Sequence, residues 1–176
     1  DRPVGTQEVL AAIDGASKDF ARGAVGAGRG TVCFGLKGGI GSSSRLVEEG
    51  GRAWTVGVLV QTNFGRMPDL MVCGRHMGPQ ILARIKGETD ADAPEKGSVM
   101  VVVATDAPLS SRQLGRVIRR ATVGLVRCGS YMGHGSGDIF LGFTTGLSMG
   151  AEDGKLPARE RVPEESLDAF FRACAE

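Results

Sequence analysis

A chain of 176 residues with 41% hydrophobic and 23% charged side chains has enough apolar material for one well-cored domain. Twenty-one Lys and Arg against 20 Asp and Glu leave a net charge of +1, so no whole-molecule field draws the chain to nucleic acid or to an anionic membrane. Four scattered cysteines with no CxxC pair, beside only two histidines, argue against a zinc or dithiol motif, and no apolar run approaches the roughly 18 residues of a membrane span.

Thr6 to Phe20 places Val9, Leu10, Ile13 and Ala16 at helical spacing and predicts a helix. Gly30 to Leu36 reads as a strand, followed by a turn-forming run from Lys37 to Ser44. Ala53 to Thr62 is apolar on both parities, as in a strand buried on both faces, and Asn63-Phe64-Gly65 closes it. Leu70 to Cys73 adds a short strand, and the polar stretch from Gly74 to Gly97 is expected to be an exposed loop or lid. Ser98 to Thr105 predicts a central strand, stopped by Asp106-Ala107-Pro108 because proline cannot donate to a sheet ladder. Ser110 or Ser111 then caps a helix with Leu114, Val117, Ile118, Ala121 and Leu125 on one face. Cys128 to Gly137 is a glycine-rich loop, Asp138 to Thr145 a strand, and Glu164 to Ala175 a helix with Leu167, Phe170 and Phe171 inward. Strands broken by helices without strict alternation predict a layered α+β architecture in a single domain. The cysteines are expected to be free and mostly buried, and the chain soluble and cytoplasmic, with no signal-peptide pattern.

Glycine is the unusual component: 28 residues, with no collagen-like period, and its clusters mark candidate site loops. In Gly133-His134-Gly135-Ser136-Gly137-Asp138 the glycines leave the serine hydroxyl unobstructed, although a tight turn alone would explain them. The block is not the G-x-S-x-G elbow of the α/β-hydrolases, and His134 lies too near Ser136 in sequence to be a comfortable base. The run Lys37 to Ser44 could cradle an anion through its amides or simply connect two strands; it is not a Walker loop, since its lysine precedes the glycines. Asn63 is placed to offer an amide to an oxyanion, or to serve as a turn residue. The arginines between Arg112 and Arg127 lie opposite the apolar stripe, which a solvated helix face explains better than nucleic acid, and the six methionines form no stripe.

Taken together and in order, AVGAGRGTVCFGLKGGIGSSSR, WTVGVLVQTNFG and the stretch containing ATDAPL and GHGSGDIFL resemble the L-aminopeptidase/D-Ala-esterase/amidases and β-peptidyl aminopeptidases, from about Thr6 to Glu176. The resemblance implies an αββα sandwich of the N-terminal-nucleophile kind, whose precursor cuts itself between Gly135 and Ser136. Residues 1–135 would then be part of one chain and 136–176 the start of another. It further implies that Ser136 acts as the nucleophile with its own new α-amine as base, since a free amine of pKa about 7.7–8.0 can accept the hydroxyl proton. The oxyanion and positioning groups of the family fall on Lys37 and Asn63, with Gly38, Gly39 and Gly137 forming the loops around substrate. No metal or organic cofactor is required. The substrate would be a short peptide or aminoacyl amide, and a homo-oligomer is expected. Arg29 and Ser42-Ser43 depart from the small residues and Thr-Ala that the family usually has there. The proton-relaying Thr/Ser-Glu-Glu segment is expected beyond Glu176. Two rival readings are an inactive hydrolase-like binding module and, from Lys37 to Ser44, a phosphate-binding protein.

Overall fold

The structure is a computed structural model that describes residues 4–85, 94–147 and 161–176. In chain order the elements are α1 (Thr6–Asp14), β1 (Val32–Cys33), β2 (Leu36–Lys37), β3 (Gly39–Glu49), β4 (Arg52–Asn63), β5 (Met71–Val72), β6 (Arg75–His76), α2 (Gly78–Ile85), β7 (Ser98–Thr105), α3 (Ser111–Ile118), α4 (Ala121–Arg127), β8 (Ile139–Thr144) and α5 (Leu167–Ala175). Four strands form one sheet in the order β3-β4-β7-β8, antiparallel except for the parallel β7–β8 pair.

Side-chain alternation divides the sheet into two unlike faces. Val99, Val101 and Val103 of β7 are buried, as is Val56 of β4, and α3, α4 and α5 cover that side with Leu114, Val117, Leu125, Leu167 and Phe170. The capping box of α3 fixes its entry: Gln113 N–H donates to Ser110 Oγ at 3.3 Å, and Ser110 N–H donates to Gln113 Oε1 at 3.0 Å. Arg112 and Arg116 pair with Glu164 ahead of α5, and Arg116 and Arg120 lie over the Phe171 ring, so part of the arginine face serves helix packing. On the opposite face Leu46, Ile139, Leu141 and Phe143 remain exposed.

Several expectations are corrected. The run from Lys37 to Ser44 is no flexible loop: Gly39 to Glu49 pairs with β4 along its whole length, from Gly39↔Thr62 to Glu49↔Arg52. Pairing with a strong strand outweighs the weak β propensity of Gly and Ser. Gly38 N–H donates to Thr31 O, Gly39 N–H to Thr62 Oγ1 and Ile40 N–H to Gly23 O, so those amides are not available to cradle a phosphate. The strand expected from Gly30 to Leu36 is a hairpin instead, turning at Phe34-Gly35, where φ values of 50° and 71° give the twist that a two-residue turn requires. The first helix ends at Asp14 rather than Phe20. The second helix divides at Arg119-Arg120, where the N–H groups of Arg120 and Val123 bond three residues back and tighten the turn. The stretch expected as a loop from Gly74 to Gly97 contains β6 and α2, and Glu95 within it is buried; residues 86–93 lie outside the described residues. Of the cysteines, Cys174 is buried and Cys33 half-buried, but Cys73 and Cys128 are exposed. Among the described residues the sheets are the four-stranded one and the two-stranded pairs β1-β2 and β5-β6.

Candidate active site

Ser136 lies at the end of a tight turn. Its N–H donates to Gly133 O at 2.9 Å, so the Gly135–Ser136 peptide bond is the last link of a four-residue turn. The turn is seated against the segment leading into β7: Gly97 and Ser136 form a bridge, and Gly137 N–H donates to Gly97 O at 3.1 Å. A Cβ at Gly135 would lie 2.2 Å from Glu95 O, so only glycine permits this approach before the serine. Ser136 Oγ donates to Asp138 Oδ1 at 2.5 Å, and the same carboxylate oxygen accepts Val99 N–H at 3.2 Å. Serine and aspartate two residues apart share one side of an extended segment, which brings them together.

Glu95 holds the turn from its other end. One carboxylate oxygen accepts Gly133 N–H at 3.1 Å, and the other accepts Gly65 N–H at 3.0 Å. A single buried side chain therefore ties the Asn63-Phe64-Gly65 corner to the turn containing Ser136. Neither Glu95 nor Asp138 is singled out by the sequence reading. The position of Asp138, two residues after the serine on an extended segment, was a usable signal; Glu95 sits in a polar stretch that resembles any surface loop.

Asn63 ends β4. Opposite it stands Ser98, the neighbour of Gly97, which puts the backbones of Asn63 and Ser136 two strand spacings apart, roughly 10 Å. Its Oδ1 accepts Val32 N–H at 3.1 Å, which leaves the Nδ2 amine as the end able to donate. Lys37 faces Val32 across the β1–β2 hairpin, so it is close in register to Asn63. Lys37 Nζ, however, donates to Arg29 O at 2.7 Å, and no described hydrogen bond joins it to Ser136. The hairpin docks on the same corner as Asn63: Phe34 N–H donates to Phe64 O at 2.8 Å, and the two rings meet edge-on at 5.3 Å. Gly38 and Gly39 are used for close backbone packing, as a Cβ on Gly38 would lie 2.8 Å from Thr62 O and one on Gly39 2.5 Å from Gly23 C. Gly137 holds its turn through Gly97.

A cavity of about 790 Å³ opens on the helix side of the sheet, lined by Val58, Val60, Leu125, Cys128 and Cys174 among others. None of Ser136, Lys37 or Asn63 lines it. No cluster of His, Cys, Asp and Glu able to hold a metal occurs among the described residues, and no described helix is long and apolar enough to cross a membrane.

The model of peptidase family S58 matches residues 1–176. The chain belongs to this family. It is 40% identical to the β-peptidyl aminopeptidase BapA of Sphingosinicella microcystinivorans, over 98% of this chain and 47% of that protein. The S58 chain thus spans about half the length of the curated relatives it matches. Among solved structures, a Pyrococcus horikoshii protein superposes with a TM-score of 0.85 at 41% identity, covering 99% of this chain and 47% of the other. The L-aminopeptidase D-Ala-esterase/amidase of Ochrobactrum anthropi, described as a prototype serine aminopeptidase with a variant N-terminal-nucleophile hydrolase fold, superposes at 0.79 and 35% identity, over 98% of this chain and 47% of its own. The described mixture of helices and sheet in this S58 chain agrees with that fold.

Proposed function

We propose that the whole protein is a self-processing serine aminopeptidase or amidase that cuts its own Gly135–Ser136 bond and then hydrolyses short peptides or aminoacyl amides through an acyl-enzyme on Ser136. The observation that carries this reading is the placement of Ser136 in a glycine turn, its hydroxyl held by a carboxylate and its peptide bond last in the turn, in a chain of peptidase family S58. In the processed enzyme the α-amine of Ser136 takes the hydroxyl proton as Oγ attacks the substrate carbonyl, and returns it to the leaving amine. Asn63 Nδ2 is the donor assigned to the oxyanion. Lys37 completes the site once its ammonium turns from Arg29 O toward substrate, and Gly38, Gly39 and Gly137 shape the walls. The single domain is divided at 135/136 by the cut.

The αββα sandwich belongs to the same proposal. Leu46, Ile139, Leu141 and Phe143 on the uncovered face of the sheet favour a second sheet packed there, since a lone sheet seldom leaves a row of large apolar side chains to water. A homo-oligomer of the processed enzyme completes the reading.

The test is mass spectrometry of the purified full-length protein with hydrolysis of small aminoacyl amides. Two chains meeting at Gly135/Ser136, with both cleavage and hydrolysis lost in Ser136→Ala and some cleavage kept in Ser136→Cys, are expected. One intact, inactive wild-type chain would overturn the reading in favour of a binding module.

A further inference from the structure

The net charge of +1 hides an uneven distribution. From Phe20 to Val47 the chain carries Arg22, Arg29, Lys37 and Arg45 and no acidic residue. Arg45 is paired with Glu176 at 3.1 Å. Arg22, Arg29 and Lys37 are exposed and form no ion pair among the described residues. Arg22 Nε donates to Ser42 Oγ at 2.8 Å, its guanidinium lies 5.2 Å from the centre of the Phe20 ring, and Lys37 Nζ donates to Arg29 O at 2.7 Å. Such neutral partners orient a cation without cancelling its charge. The Arg29 guanidinium makes no hydrogen bond among the described residues. The backbone seats this charge beside Asn63. A Cβ at Gly28 would lie 2.8 Å from Gly23 O and 2.9 Å from Gly39 Cα, and Thr31 Oγ1 donates to Gly28 O at 3.0 Å, so the turn that presents Arg29 is packed directly on the start of β3. Three residues on, Val32 N–H donates to Asn63 Oδ1, with Lys37 opposite Val32. The nearby carboxylates are taken up by donors of their own: Glu95 by Gly65 and Gly133 N–H, Asp138 by Ser136 Oγ and Val99 N–H.

Resting on the roles given above to Ser136 and Asn63, we propose that Arg29, with Arg22 across the Gly23–Gly28 contact, selects substrates that carry a carboxylate, supplied by an acidic side chain or by the free C-terminus of a short peptide. A substrate whose carbonyl reaches Asn63 Nδ2 meets this positive corner. A planar guanidinium takes a carboxylate through two parallel N–H···O bonds, a geometry that a lysine ammonium does not reproduce. The carboxylate keeps its charge from bound substrate to transition state, so its recognition lowers KM and leaves kcat nearly as it was. For exposed groups the gain is roughly fivefold in kcat/KM and shrinks as salt screens the pair.

The test uses the full-length processed protein and substrates in pairs that differ only in charge: the α-amides of glutamic acid and glutamine, and a dipeptide with its C-terminus free or amidated. The wild type should favour the charged member of at least one pair by roughly fivefold in kcat/KM at low salt and by less at high salt, with the difference in KM. The pair that responds tells side chain from C-terminus. Arg29→Ala should abolish the preference. Arg29→Glu should invert it, so that the α-amide of lysine is hydrolysed better than that of norleucine. Turnover of the uncharged substrates by both variants shows that they are folded. No preference in the wild type, or an unchanged preference in Arg29→Glu, would overturn the assignment, as would variants inactive on every substrate, since Arg29 would then be needed for more than selection. A wild type that hydrolyses none of these compounds would instead refute the aminopeptidase reading on which this one rests.

Discussion

Removing the Glu95 carboxylate should disconnect the two halves of the site. Its two oxygens accept Gly65 N–H at 3.0 Å and Gly133 N–H at 3.1 Å, and the side chain is buried, only 7% exposed. Glu95→Ala would leave both donors without a partner in a place water reaches poorly, at about 1–3 kcal/mol for each, so about 2–6 kcal/mol in all. That is a large part of the stability of a typical domain, and its local consequence is loosening of the turn that presents the Gly135–Ser136 bond. Glu95→Gln is the milder change, since one amide oxygen still accepts while its amine meets a second donor. The expected order in the full-length protein is therefore wild type, then Gln, then Ala, both in thermal midpoint and in the rate of self-cleavage followed on denaturing gels. The alanine variant should cut at least tenfold more slowly. A Glu95→Ala protein that melts and cuts as the wild type does would show that the two N–H bonds contribute nothing to the site, and the reasoning would fail.

Asn63→Ala should lower kcat for aminoacyl amides by roughly a hundredfold while leaving the melting temperature within a few degrees, the result expected for one lost oxyanion donor; near-normal turnover would return Asn63 to the role of anchoring Val32 N–H. Burial pushes the Cys174 thiol up from 9.0 to about 11. In the window between those values the unfolded chain has lost a proton that the folded chain keeps, so this contribution to stability is complete below pH 9 and is lost as pH rises toward 11. The urea midpoint of the full-length wild type should consequently fall more between pH 8 and pH 10.5 than that of Cys174→Ala, and equal falls would contradict the buried neutral thiol.

What the sequence reveals depends on whether an element is decided locally. Ser98 to Thr105 is legible to the residue because a run of β-branched side chains stopped by Asp106-Ala107-Pro108 allows little else, and β7 spans those same residues. The capping box at Ser110 is equally local. Lys37 to Ser44 misleads because its composition favours a turn while its conformation is settled by eleven residue pairs with β4, from Gly39↔Thr62 to Glu49↔Arg52. The Phe34-Gly35 turn is hidden for a related reason: a phenylalanine at φ 50° goes against its local preference and is held by the Phe64 ring and carbonyl. Collinear blocks point to Ser136 and Asn63 as candidates, and the groups that hydrogen-bond around them are not legible in the same way. Asp138 could have been found from spacing alone, whereas Glu95 acquires its meaning only when Gly65 and Gly133, 68 residues apart by number, come to lie on either side of it.

If the proposed cut takes place, the distribution of those partners along the chain explains how one serine could serve both as its site and as a lasting nucleophile. On the N-terminal side of the Gly135–Ser136 bond, Gly133 is tied through its N–H to Glu95. On the C-terminal side, Ser136 bridges to Gly97, Gly137 donates to Gly97 O, and Asp138 accepts Val99 N–H. Within the turn itself, Ser136 N–H to Gly133 O is the hydrogen bond that closes across the Gly135–Ser136 bond. The proposed cleavage would therefore cost the turn about one ordinary hydrogen bond, net roughly 0.5–1.5 kcal/mol, and each new end would keep an anchor formed beforehand. A nucleophile released on a frayed strand would pay again for its orientation at every turnover, whereas one that stays pinned to the start of β7 keeps the placement that made the first attack possible.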